Sequence, residues 1–179
     1  VEARVVLADR IYNWEYARNI SMLKARTQKF PLRIDTVDEW GVLANTVPYW
    51  VDMDVMFPDG RPPDATSRFA EAINAQLALS EKKHVYIYVH GYKVVYENPV
   101  LIASELWHFM GYNGALIDYA WPSTPSAFAF INVSDSSDGF SRILRLLIES
   151  FAEETDVDKI DLVGYSNGTR LLTRALEQL

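Results

Sequence analysis

Three short runs of β-forming residues, set apart by stretches of helical periodicity, constrain this chain more than any other feature. The first is His84 to Val89, reading HVYIYV. The second spans Ala115 to Ala120, and the third carries Ile160, Leu162 and Val163. Continuous apolar runs suit strands buried on both faces. Phe69, Ile73 and Leu77 precede the first run at helical spacing. Ile102, Leu106 and Phe109 form an apolar stripe after it, and Phe140, Ile143, Leu144, Leu147 and Phe151 form another after the second run. Leu171, Leu172, Ala175, Leu176 and Leu179 follow the third. Strands alternating with helices read as a parallel sheet covered on both faces. Such sheets take ligands at the strands' carboxyl ends. His90-Gly91-Tyr92, Trp121-Pro122-Ser123 and Ser166 all fall at that edge.

The third strand runs into Gly164-Tyr165-Ser166-Asn167-Gly168, a match to G-x-S-x-G between a strand and a helix. A nucleophilic Ser166 needs a tight, strained turn that lifts its hydroxyl off the sheet edge. Side chains at Gly164 and Gly168 would then collide with the neighbouring helix and strand. The Asn167 N–H, at the start of the next helix, points where an oxyanion would form. The plainer alternative is a glycine-flanked strand-to-helix turn that happens to hold a serine.

The 179 residues suffice for one domain with a sizeable core. Hydrophobic residues at 49% and charged residues at 23% describe a soluble globular chain and exclude a disordered one. The net charge of −7, without a Lys/Arg run, argues against nucleic acid as a partner. With no cysteine, disulfides, thiolate metal sites and a cysteine nucleophile are excluded. No apolar run approaches the roughly 18 residues of a membrane span. Compartment and oligomeric state are not legible. No cofactor is expected, and no metal: Asp52 and Asp54 lack a His or third carboxylate beside them.

Residues 1–57 read as a β-rich extension packed on a βα core at 64–179, the two making one incomplete domain. Val5 to Ala8 suggest a strand ending at Asp9-Arg10, and Val51, Met53, Val55 and Phe57 alternate with Asp52 and Asp54 as a second strand would. Pro58 to Pro63 is a turn cluster, after which Asp64 or Thr66 can cap a helix. Asn98 and Pro99 fit an N-cap and first helical position, and Gly111 a helix stop. Residues 123–138 read as a long polar loop whose Ser134 to Asp138 cap the next helix.

VYIYVHGY at 85–92, ALIDYAWPS at 115–123 and DLVGYSNGTRLL at 161–172 together resemble a bacterial family of α/β-hydrolases. The family comprises serine-esterase/lipase-like proteins of uncharacterised function. The resemblance implies an α/β-hydrolase fold, with Ser166 as nucleophile acting on carboxylic, including lipid, esters. It implies Asn167 N–H and Tyr92 N–H as the oxyanion donors. His90 and Gly91 would organise the oxyanion loop, and Trp121 and Pro122 would shape the cleft wall or pack a turn on the core. Tyr165 and Asn167 stand where the family commonly has His and Met, and Lys93 where it has Asn, which bears on pocket polarity.

A serine needs a base. In this fold an acid and then a histidine follow the nucleophile. Only 13 residues follow Ser166, none of them His. His84 sits at the wrong end of its strand and His108 late in a helix. The expectation is a chain truncated before its acid and base, which binds substrate and does not turn it over. The rival reading is a non-catalytic binding or scaffold protein on the same fold. A nucleotide-binding sheet ranks below both, because no G-x-G-x-x-G follows a strand.

Overall fold

The computed structural model describes residues 1–7, 13–24, 30–92, 94–95, 97–122 and 130–179. They divide into two compact units, Val1–Glu39 and Trp40–Leu179. The division falls ahead of the turn cluster at 58–63.

In the first unit, β1 (Glu2–Leu7) pairs antiparallel with β2 (Leu32–Asp38), with a register shift between Arg4 and Val5. Between them lies α1 (Trp14–Ser21). Asn13 caps it by accepting the Tyr16 N–H at 2.8 Å, satisfying one of the donors a helix start leaves open. Asp9 and Arg10 lie outside the described residues.

The second unit opens with a 3-10 turn at Ala44–Thr46 and a short helix α2 (Met53–Met56). Alternation over 51–57 predicts a strand, and the structure has this helix instead. Asp52 decides it: its carboxylate accepts the N–H groups of Asp54 at 2.9 Å and Val55 at 3.3 Å, as an N-cap does. Asp54 turns away to pair with Arg61 at 2.7 Å, so the two carboxylates make no acid pair. Next comes α3 (Thr66–Ala78), where Asp64 accepts the Thr66 N–H at 2.9 Å.

The alternating segment follows as β3 (His84–Val89), α4 (Glu97–Phe109), β4 (Ala115–Tyr119), α5 (Phe130–Glu154), β5 (Lys159–Gly164) and α6 (Asn167–Leu176). The three strands form a parallel sheet in the order β4-β3-β5. Val85, Ile87 and Val89 alternate onto one face and are fully buried, joined by Leu77 of α3, Leu144, Leu147 and Phe151 of α5, and Leu171 and Ala175 of α6. These residues form the core that holds the strand ends in place.

Two helices depart from the sequence reading. In α4 the buried residues are Pro99, Val100 and Ala103, whereas Ile102 and Phe109 are exposed. The helix starts at Glu97, so Asn98 and Pro99 sit inside its first turn, where proline's missing N–H costs nothing. Gly111 takes the left-handed conformation (φ +75°) that ends it. Helix α5 begins at Phe130, so Ser134 to Asp138 lie within the helix, past its first turn. The rest of the expected loop, 123–129, lies outside the described residues.

Candidate active site

The C-terminal end of β5 turns into α6 through Ser166, whose backbone adopts φ +53°, ψ −119°. Only Ser166 and Tyr112 among the described non-glycine residues have positive φ. That conformation costs an L-residue of order 1–3 kcal/mol and persists where surroundings impose it. The surroundings here are contacts that only glycine permits. A Cβ on Gly164 would stand 2.7 Å from the Thr169 Cα of α6. One on Gly168 would stand 2.1 Å from the Val89 carbonyl oxygen and 2.6 Å from that of His90. The Tyr165 N–H donates to the Val89 oxygen at 3.0 Å, tying the turn to the end of β3. The serine is exposed, and so is Tyr165 beside it.

Beyond β3 the chain passes directly against this serine. A Cβ on Gly91 would lie 3.0 Å from the Ser166 Cβ and 3.1 Å from the Tyr165 ring. Gly91 is buried and Tyr92 half-buried, with the Tyr92 ring against the core. Asn167 is the first residue of α6, and the first N–H groups of a helix have no acceptor within it. The structure thus brings Ser166, Tyr165, Gly91 and the start of α6 together.

His90 and Trp121 lock the ends of β3 and β4 to each other. His90 Nδ1 lies 2.8 Å from the Gly91 oxygen, the Trp121 N–H donates to His90 Nε2 at 3.2 Å, and the indole N–H donates to the His90 oxygen at 2.8 Å. Their rings stack at 5.6 Å, and both residues are almost wholly buried. Burial holds the His90 imidazole below its ordinary pKa, against the opposing pull of its bond to the Gly91 carbonyl. Both ring nitrogens are engaged, so His90 is no base for Ser166. Trp121 lies in the core, and Pro122 is exposed.

The other histidines are remote. His84 starts β3, opposite Lys159, and bonds Asp161 through Nδ1 at 2.9 Å; Lys159 also pairs with Asp161 and holds that carboxyl below its ordinary pKa. This cluster at the amino end of the sheet escapes sequence reading, because only the β3/β5 register brings its members together. His108 bonds the Tyr112 hydroxyl at 2.8 Å, where α4 ends.

Among the described residues, Asp118 is the acid buried without a partner. It lies opposite Tyr88 in the β3/β4 register, and both its carboxylate oxygens are buried without a hydrogen-bond partner. Burial pushes its pKa up to about 7. Among the described residues no cluster of three His, Cys, Asp or Glu could hold a metal, and no helix is long and apolar enough to cross a membrane.

A parallel βα sheet that carries a strained serine at a glycine-flanked strand-to-helix turn defines an α/β protein of hydrolase type. Residues 65–179 match the family described as alpha/beta hydrolase of unknown function (DUF900), and the chain belongs to that family. No curated protein and no solved structure gives a significant match.

Proposed function

We propose that Ser166 is the nucleophile of a serine hydrolase acting on carboxylic esters, lipid esters included. The observation that carries this reading is the positive-φ backbone of Ser166 at the end of β5, flanked in the turn by Gly164 and Gly168 and with Gly91 against its Cβ. An exposed serine held in that conformation costs stability, and such strained residues cluster where chemistry needs them. Its Oγ attacks the acyl carbonyl and its proton passes to a base. The tetrahedral oxyanion is held by the N–H groups of Asn167 and Tyr92, where fixed donors are worth far more than water. Collapse expels the alcohol and leaves an acyl-serine that water hydrolyses.

None of the three histidines is placed to supply that base: His84 bonds Asp161, His108 bonds the Tyr112 hydroxyl, and both ring nitrogens of His90 are engaged. Added imidazole can stand in for the base. The test is mass-spectrometric detection of fluorophosphonate labelling, with and without imidazole. Imidazole-stimulated labelling at Ser166, lost in Ser166→Ala, supports the reading. Labelling that ignores both imidazole and the substitution would sink it. The absence of an imidazole at Ser166 favours a second reading, a binding or scaffold protein on this fold. That reading expects no labelling under any condition.

A further inference from the structure

We propose that Trp121 is a positioning residue that fixes the tautomer of His90 and, through it, the direction of the Tyr92 N–H. The inference rests on the hydrolase reading for its catalytic meaning, and on hydrogen-bond geometry alone for the tautomer.

The logic starts from donors and acceptors. The Gly91 carbonyl can only accept, so the His90 nitrogen 2.8 Å from it, Nδ1, carries the proton. The backbone N–H of Trp121 can only donate, so Nε2, 3.2 Å away, is bare. Together these contacts admit one form of the ring, the neutral Nδ1–H tautomer. The indole N–H bond to the His90 oxygen and the 15° stacking of the two rings keep the imidazole plane in place. A second proton would set Nε2–H against the Trp121 N–H. Among the described residues no charged side chain acts on His90 to favour that proton.

The consequence passes through one peptide plane. The Gly91 carbonyl and the Tyr92 N–H belong to the same trans peptide, in which C=O and N–H point in opposite directions. Drawing the carbonyl onto His90 Nδ1–H therefore aims the Tyr92 N–H the other way. Gly91 lies against Ser166, close enough that a methyl group would touch the serine's Cβ at 3.0 Å. The Trp-Pro turn after β4 thus controls an amide beside the nucleophile without touching substrate.

The experiment uses the 179-residue chain, with ¹⁵N-histidine NMR for the tautomer, the Tyr92 amide resonance for the peptide, and imidazole-assisted fluorophosphonate labelling for Ser166. His90 is expected to carry its proton on Nδ1 with Nε2 bare. A proton on Nε2, or a mixture of tautomers, overturns the inference. His90→Phe keeps a ring and loses the donor. It is expected to move the Tyr92 amide resonance and slow Ser166 labelling on the order of 100-fold, the scale of a lost oxyanion donor. His90→Asn, which restores an N–H near the Nδ1 position, recovers most of that loss. Trp121→Phe, which removes the indole donor and keeps the backbone N–H on Nε2, is expected to leave the proton on Nδ1, and a mixture of tautomers there overturns the assignment to the backbone contacts. An unmoved Tyr92 amide in His90→Phe overturns the inference whatever Ser166 does. Failure of the unsubstituted chain to label speaks against the hydrolase reading alone, because the tautomer and amide signals are read independently of it.

Discussion

Ser166 pays a conformational cost that most residues avoid, and the cost can be measured. Glycine adopts φ +53° freely, whereas alanine shares serine's penalty. Ser166→Gly is therefore expected to be more stable than Ser166→Ala by about 1 kcal/mol. Chemical denaturation of the two variants checks it, and equal stability would mean that the turn stores no strain. Asp118 carries a different burden. Its raised pKa means that the fold prefers the protonated acid, so its contribution is fully present below the ordinary 3.8 and lost as pH rises to about 7. The loss across that window is about 4 kcal/mol, and Asp118→Asn lacks it. Stability measured from pH 4 to pH 8 checks it: the fall with rising pH should be absent from Asp118→Asn. Asp118 stands within a plausible strand in sequence, and nothing local marks it as orphaned. Its burial is settled only once β4 has paired with β3, which sets Tyr88 opposite it.

At the scale of elements, the α6–β3 contact is the joint that sets the elbow. It runs through Gly168, whose added methyl would meet two backbone carbonyls, at 2.1 Å and 2.6 Å. Neither carbonyl can swing aside without parting helix from strand. Gly168→Ala is expected to destabilise the chain by about 3 kcal/mol. Gly139 gives the opposite case. It lies within α5, and a methyl there would meet nothing within 4 Å. Gly139→Ala is expected to raise stability by roughly 0.5–1 kcal/mol, since alanine loses less freedom in a helix. Thermal melts of both variants test the pair, and a shift of the same sign in each would contradict the packing argument. The sequence motif names Gly168 and is silent on Gly139, because a pattern does not reveal what a side chain would strike.

For the whole molecule, the response to pH is a contest between two buried groups. His90 has a depressed pKa, so its contribution is present above the ordinary histidine value of 6.5 and lost as pH falls below it. Asp118 works in an overlapping window with the opposite sign. The wild type is expected to lose stability less steeply between pH 4 and pH 7 than Asp118 alone would make it. Asp118→Asn should expose the acid-side loss from His90, and His90→Phe should expose the alkaline-side loss from Asp118. Two single-variant stability profiles with slopes of opposite sign would establish the contest. Parallel slopes would refute it.

Local pattern determined the βα alternation, the three strands within a residue of their bounds, and the serine turn, because continuous β-forming runs and helical spacing are properties of neighbouring residues. The same local reading made Val51 to Phe57 a strand, since it cannot weigh the Asp52 side chain's capture of two N–H groups against an alternating pattern. It turned the Ile102 and Phe109 face of α4 inward, where the structure buries Pro99, Val100 and Ala103. Which apolar face is covered depends on what packs against it, and that lies far along the chain. The His90–Trp121 pair, 31 positions apart, and the His84–Asp161 pair, 77 apart, exist only once β3 has taken β4 and β5 as neighbours. Tertiary structure decided these because hydrogen bonds and burial are settled by proximity in space, and strand register sets that proximity.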